Sequence, residues 1–262
     1  MAHTKASAFL NTIHDTLASQ TDLSPENPKV NSCLNRLVAT LQDWQRCGYG
    51  AALADHPDFS GLASALPGLC ARAECEMEKW WCRRILASDC RGVQALAAFW
   101  YLDNYRSLCR AELDLLGYAC TTRFAFLGSG ALPLTAILLA QSSPDAEVAC
   151  VDCDGEACEM AQMLVSLLGL SRQITIENSD ACAWRPREDE TVICASLLDA
   201  PGVFGHLDTC NVRRIIVRDA EGPYRFCYRP AHLPGPEFVE RSKSPLSAER
   251  INTSRYFEAA AC

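Results

Sequence analysis

Apolar residues fall into two different patterns along the chain. Through about Gly117 they recur every three to four positions, the period of one face of an α-helix. Phe9, Leu10, Ile13 and Leu17 predict a helix over 6–19, and Val30, Leu34, Leu37, Val38, Leu41 and Trp44 predict another over 28–46. Residues 21–28 and 55–61 read as connections, the second holding Pro57 and Gly61. A long helix is expected over 67–88, entered at Pro67, and a last one from Gly92 to Leu116, stopped by Gly117. Together they predict an N-terminal helical bundle over 1–117.

After Gly117 short apolar runs alternate with helical ones. Strands are predicted at 123–128, 146–151, 173–177, 191–195 and 213–218, with helices at 133–141, 155–168 and 202–211. That alternation implies a mostly parallel sheet with helices on both faces. The expected fold class is therefore α/β, a helical bundle followed by a Rossmann-like domain over 118–262. The tail beyond Pro230, with Pro234, Pro236 and Pro245, follows neither period.

Composition narrows the function. The 262 residues are 49% hydrophobic, enough for a real core, and carry a net charge of −8. Nucleic-acid binding needs clustered Lys and Arg, so it is not expected, whereas a cationic small molecule remains compatible. The chain starts Met-Ala-His-Thr-Lys-Ala-Ser without the apolar core of a signal peptide, and no run of about 18 apolar residues follows. No membrane span is expected. Many of the 16 cysteines, such as Cys109, Cys150 and Cys194, replace Ala or Val inside apolar runs. They read as reduced, buried thiols of a cytoplasmic protein. Cys150 and Cys153 form a Cys-x-x-Cys without a second pair, and His3, His14, His56, His206 and His232 stand singly. No metal is expected to be required.

The densest chemical signal is Phe-Ala-Phe-Leu-Gly-Ser-Gly at 124–130. A strand ends in a turn where Gly128 and Gly130 let the backbone approach a ligand, and Leu132 and Pro133 lead into a helix. Asp152 follows Gly130 by 22 residues, at the end of the next apolar run. That places a carboxylate where a ribose would be held. A dinucleotide fingerprint has a third glycine, and Gly128-Ser129-Gly130-Ala131-Leu132-Pro133 does not. The departure favours S-adenosylmethionine (SAM) over NAD. Asp180, after the third strand, is assigned to the adenine amino group. Ala195 and Ser196, ending the fourth strand, are assigned to the ligand's amino-acid end.

Two clusters in the helical part also carry polar groups. Glu74 and Glu78 share a helix face with Trp81, and Tyr101 and Tyr105 share another. Taken alone, these are a solvated face and a core edge.

At this point the chain resembles the nicotianamine synthase family. Gly128-Ser129-Gly130-Ala131-Leu132-Pro133-Leu134-Thr135 reproduces that family's Gly-Ser-Gly-x-Leu-Pro-Leu-Thr signature. Leu69 to Glu78 matches its Leu-Cys-x-x-Ala-Glu-x-x-x-Glu motif. Phe99 to Tyr105 matches Phe-Pro-Tyr-Tyr-x-Asn-Tyr, departing at Trp100 and Leu102. Val30-Asn31 with Leu37-Val38, and Arg218, Ala220, Gly222, Arg225 and Tyr228, echo further segments, the last with one extra residue. The resemblance implies transfer of the 3-amino-3-carboxypropyl (α-aminobutyrate) group of SAM to an amine, releasing methylthioadenosine. It assigns Glu74 or Glu78 to the amine and its proton, Tyr101 and Tyr105 to holding acceptor or donor, and Gly128–Gly130, Leu132, Pro133, Asp152, Asp180, Ala195 and Ser196 to SAM.

The resemblance further points to the bacterial branch that makes a single transfer to histidine for an opine-type metallophore (staphylopine or pseudopaline). A downstream opine dehydrogenase is an expected partner, and a homodimer is the expected assembly. Synthesis of nicotianamine from several SAM molecules is the alternative, with ordinary SAM-dependent methyl transfer a third.

Overall fold

The computed structural model describes residues 2–50, 53–89, 92–99, 101–117 and 121–260. Contacts divide the chain into two compact units. The first holds 1–80, 219–230 and 246–253, and the second holds 81–218, 231–245 and 254–262. The division thus falls between Trp80 and Trp81, inside a helix, instead of at Gly117.

The first unit is built on helices α1 (Ala2–Ala18), α2 (Pro28–Arg46) and most of α3 (Ser60–Leu86). Leu10, Ile13, Leu17, Leu37 and Leu41 are buried, as the helical period required. Asn27 caps α2 by accepting the Lys29 N–H at 3.0 Å, one residue before a proline at the first position. The segment 222–226 winds as a 3-10 turn whose Tyr224 and Phe226 are fully buried. Its Pro223 ring leaves no room for a side chain at Gly50, where a Cβ would come within 2.5 Å.

The expected entry of the long helix at Pro67 is corrected, since α3 begins at Ser60 and runs through that proline. A 3-10 turn at Pro57–Phe59 starts the winding earlier. The missing proline hydrogen bond costs about 3 kcal/mol, and burial of Leu66, Cys70 and Ala73 beside it offsets that cost.

The second unit carries a seven-stranded sheet in the order β3-β2-β1-β4-β5-β7-β6. The strands are β1 (Arg123–Leu127), β2 (Glu147–Asp152), β3 (Ile174–Asn178), β4 (Thr191–Cys194), β5 (Arg214–Asp219), β6 (Phe238–Lys243) and β7 (Thr253–Ala259). Pairings among β1 to β5 are parallel, and β6 with β7 is antiparallel. Side chains alternate between two cores. Phe124, Phe126, Val148, Cys150, Ile193 and Ile216 face one, while Ala125, Leu127, Ala149, Val151, Val192 and Val217 face the other. Helices α4 (Leu102–Leu116), α5 (Leu134–Ser142) and α6 (Gly155–Leu167) cover the first, and α7 (Val203–Thr209) the second. Burial on both faces explains the unbroken apolar runs of β1, β2, β4 and β5, whereas β3, at the sheet edge, exposes Thr175 and Asn178.

Two expectations change here. The single helix over 92–116 is a 3-10 stretch, Gly92–Ala98, followed by α4. Phe99 and Leu102 bond back three residues rather than four, at 2.9 and 3.1 Å, and Phe99 is buried against Trp81 with rings 5.3 Å apart. Trp100, within that span, lies outside the described residues. The tail beyond Pro230 also holds the β6–β7 hairpin, which the sequence pattern did not predict. Among the described residues no helix is long and apolar enough to cross a membrane.

Candidate functional site

In β1, Leu127 is level with Val151 of β2 and with Cys194 of β4, so the loops after all three strands open at one edge of the sheet. This carboxyl edge is where open parallel sheets bind ligands. Gly128 and Ser129 both donate their N–H to the Val151 carbonyl, at 2.8 and 3.2 Å. The chain then turns with φ of +74° at Gly128 and +66° at Gly130, conformations that favour glycine. A Cβ at Gly128 would stand 3.3 Å from that of Ala195.

The turn delivers the Gly130 N–H to one Asp152 carboxylate oxygen at 2.8 Å, while the Asp154 N–H holds the other at 2.9 Å. Asp152 is half-buried, and each oxygen keeps acceptor capacity beyond its backbone bond. An aimed carboxylate over a bare glycine turn suits a ribose diol. Ser129 is buried, and its hydroxyl has no partner among the described residues other than the neighbouring Cys150 thiol.

The other assigned residues sit around the same edge. Asp180 follows β3, is exposed, and accepts the Cys182 N–H at 2.8 Å. Ala195 donates its N–H to Leu127 at 3.0 Å, extending the β4–β1 ladder, and Ser196 comes next. Leu132 is packed into the core, and Pro133 is the N-cap of α5, one position before the first turn where it was expected. Both shape the seat of the loop.

Tyr101 and Tyr105 stand edge to face at the start of α4, with ring centroids 5.9 Å apart, and pack against the core that holds Leu132. Farther along α4 lies a buried network that sequence reasoning missed. The Arg218 guanidinium, at the end of β5, bonds both Glu112 oxygens and donates to the Thr135 hydroxyl at 2.7 Å. Ser254 donates to Glu112 at 2.9 Å, and the guanidinium lies 5.1 Å from the centre of the Phe126 ring. Burial works against the charged guanidinium, but the Glu112 carboxylate outweighs it and keeps Arg218 charged, with Cys109 and Tyr105 adding to that field. The network ties α4, which carries Tyr105 and is entered from Tyr101, to the first turn of α5 behind the glycine loop. A signal was present: Glu112 sits four residues from both Leu108 and Leu116 on the apolar stripe of α4.

Glu74 and Glu78 lie in the first unit, one turn apart on α3 and both half-buried, and Glu76 is exposed. The Tyr228 hydroxyl donates to Glu74 at 2.7 Å. Tyr228 was noted only as part of a motif, and this bond to a glutamate 154 positions away could not be read from spacing. Of the Cys-x-x-Cys, Cys150 is buried and Cys153 exposed.

A family model described as nicotianamine synthase protein matches residues 6–196. The chain belongs to the nicotianamine synthase family. An L-histidine 2-aminobutanoyltransferase of Pseudomonas aeruginosa is 27% identical over 226 residues, covering 81% of each chain. Nicotianamine synthase 1 of Oryza sativa subsp. indica is 31% identical over 202 residues, 71% of this chain and 59% of that one. Among solved structures, a Glu-to-Gln mutant of MtNAS in complex with S-adenosylmethionine superimposes with a TM-score of 0.84, at 19% identity and covering 98% of each chain. In this member of the nicotianamine synthase family, the signature from Gly128 to Thr135 therefore spans the glycine turn, the Pro133 cap and the hydroxyl bonded by Arg218.

Proposed function

We propose that the protein transfers the 3-amino-3-carboxypropyl group of SAM to the amine of histidine, releasing methylthioadenosine, in the synthesis of an opine-type metallophore. The observation that carries this is the Gly128–Gly130 turn aimed at Asp152, within a sequence that aligns over 81% of its residues with the histidine 2-aminobutanoyltransferases of Pseudomonas aeruginosa. Asp152 accepts the ribose hydroxyls, Asp180 meets the adenine, and Ala195 and Ser196 border the amino-acid end.

The acceptor amine attacks the carbon next to the sulfonium. The C–S bond breaks, its electron pair stays on sulfur as the neutral thioether, and the amine loses one proton. Glu74 or Glu78 orients the amine and takes that proton, with Tyr228 holding Glu74 in place. Tyr101 and Tyr105 fix the donor arm or the acceptor. The sulfonium is already an activated leaving group, so alignment supplies much of the rate. No metal is assigned a step.

Nicotianamine formation from several SAM molecules is the second reading, favoured by 31% identity to the rice synthases. We further propose a cytoplasmic homodimer whose product is consumed by an opine dehydrogenase. Incubation with SAM alone, with L-histidine and with D-histidine, followed by mass spectrometry, tests the acceptor. A singly extended histidine supports the proposal, and extended products from SAM alone replace it with the second reading.

A further inference from the structure

The five histidines are scattered in sequence, yet the fold of the first unit brings two of them together. His3, in the first turn of α1, and His56, which caps the turn before α3, lie edge to face with ring centroids 4.8 Å apart. The Asp58 carboxylate reaches to 3.6 Å from His56 Nδ1. One ligand atom from each of His3, His56 and Asp58 lies within 4.8 Å of the other two. Two imidazoles and a carboxylate therefore converge from segments more than fifty positions apart.

A tetrahedral ion held at about 2.0–2.2 Å sets its neighbouring donor atoms about 3.3–3.6 Å apart. The His56–Asp58 pair already has that separation. The others must close from no more than 4.8 Å, within reach of the exposed His3 side chain. Phe59 and Tyr49 meet His3 edge-on, with centroids 5.7 and 6.5 Å away, and keep its ring near His56. His56 Nδ1 accepts the Asp58 backbone N–H at 3.3 Å, a long bond that a metal would replace with a stronger one.

We propose that His3, His56 and Asp58 form a site for a divalent first-row transition ion of the zinc or nickel class, with water completing the coordination. Two imidazoles with one carboxylate suit such ions better than magnesium or calcium, which take oxygen ligands. None of the three residues has a part in the proposed transfer. Bound metal would clasp the first turn of α1 to the start of α3, so its effect is on stability.

The test is calorimetric titration of untagged protein with Zn2+ and with Ni2+, alongside thermal unfolding. The wild type is expected to bind one equivalent and to unfold at a higher temperature when loaded. His3→Ala and His56→Ala should each lose at least about tenfold in affinity, the scale seen even for outer-shell changes at metal sites. Asp58 is exposed, so Asp58→Ala, which should lose affinity likewise, keeps the test decisive if His56→Ala, which removes a cap, folds poorly. Co2+ loading separates this site from the cysteines, because thiolates give an intense charge-transfer band and imidazole and carboxylate do not. Absence of binding, wild-type affinity in His3→Ala, or a thiolate band from the bound ion would overturn the proposal.

Discussion

The Arg218 guanidinium grips the Glu112 carboxylate through two hydrogen bonds, of 2.7 and 2.9 Å, with both side chains almost wholly buried. Such a pair is tolerated because each charge cancels the other and the remaining polar atoms find Thr135 and Ser254. Glu112→Gln leaves the cation without its counter-charge and should cost about 3–5 kcal/mol of stability. Arg218→Met should cost a similar amount, and the double variant less than the sum. Urea unfolding of the four proteins measures the coupling, and additive losses would show that the pair is not a unit.

Gly128 is held at φ +74°, with the Ala195 Cβ 3.3 Å from where its own would be. Gly128→Ala should therefore destabilise the fold by about 1–2 kcal/mol through backbone conformation alone, and weaken SAM binding besides. Thermal unfolding and calorimetry read the two effects. A variant as stable as wild type would contradict the left-handed turn.

Asp152→Ala removes the carboxylate assigned to the ribose. A charged hydrogen bond contributes about 1.5–3 kcal/mol, so the dissociation constant for SAM should rise about 10- to 100-fold. Unchanged affinity in a calorimetric titration would sink the assignment.

Glu74→Gln and Glu78→Gln should lower turnover, by about 10²–10⁴-fold for the one that takes the proton, and leave SAM affinity nearly intact. Tyr228→Phe should lower turnover less than Glu74→Gln, because it removes only the donor at 2.7 Å that positions the carboxylate. Steady-state kinetics beside direct SAM binding separates the outcomes, and equal losses in both would indicate a structural role.

Burial pushes the Cys109 and Cys194 thiols up to about 12 from an ordinary value near 9, and Cys150 higher still. The sign follows from linkage. As the pH rises past 9 the unfolded chain ionises these thiols while the folded protein keeps them neutral. Their contribution is complete below pH 9 and declines as the pH climbs toward 12. Urea midpoints measured across that window should fall, and replacing Cys109 and Cys194 with Ala should flatten the decline.

Much of the second unit was legible because four of its parallel strands, β1, β2, β4 and β5, are buried on both faces and read as apolar runs, from Phe124–Leu127 to Ile215–Val217. The β6–β7 hairpin was not, because prolines frame it and much of β6 is exposed. Pro67 misled for a different reason: a local penalty was read as a boundary, and packing around Leu66 overrode it. Within the site, the glycine turn and Asp152 were visible because adjacent strand ends fix their meeting. The partnerships of Glu112 with Arg218 and of Tyr228 with Glu74 depend on tertiary contacts more than 100 positions apart, which spacing does not encode.

The nucleoside left after turnover distinguishes transfer of the amino-acid arm of SAM from transfer of its methyl group. Chromatography with mass detection, after incubating the protein with SAM and L-histidine, should show methylthioadenosine accumulating in step with an aminobutyrate-extended histidine. S-adenosylhomocysteine paired with a methylated acceptor would contradict the account, since the methyl group and not the amino-acid arm would have moved.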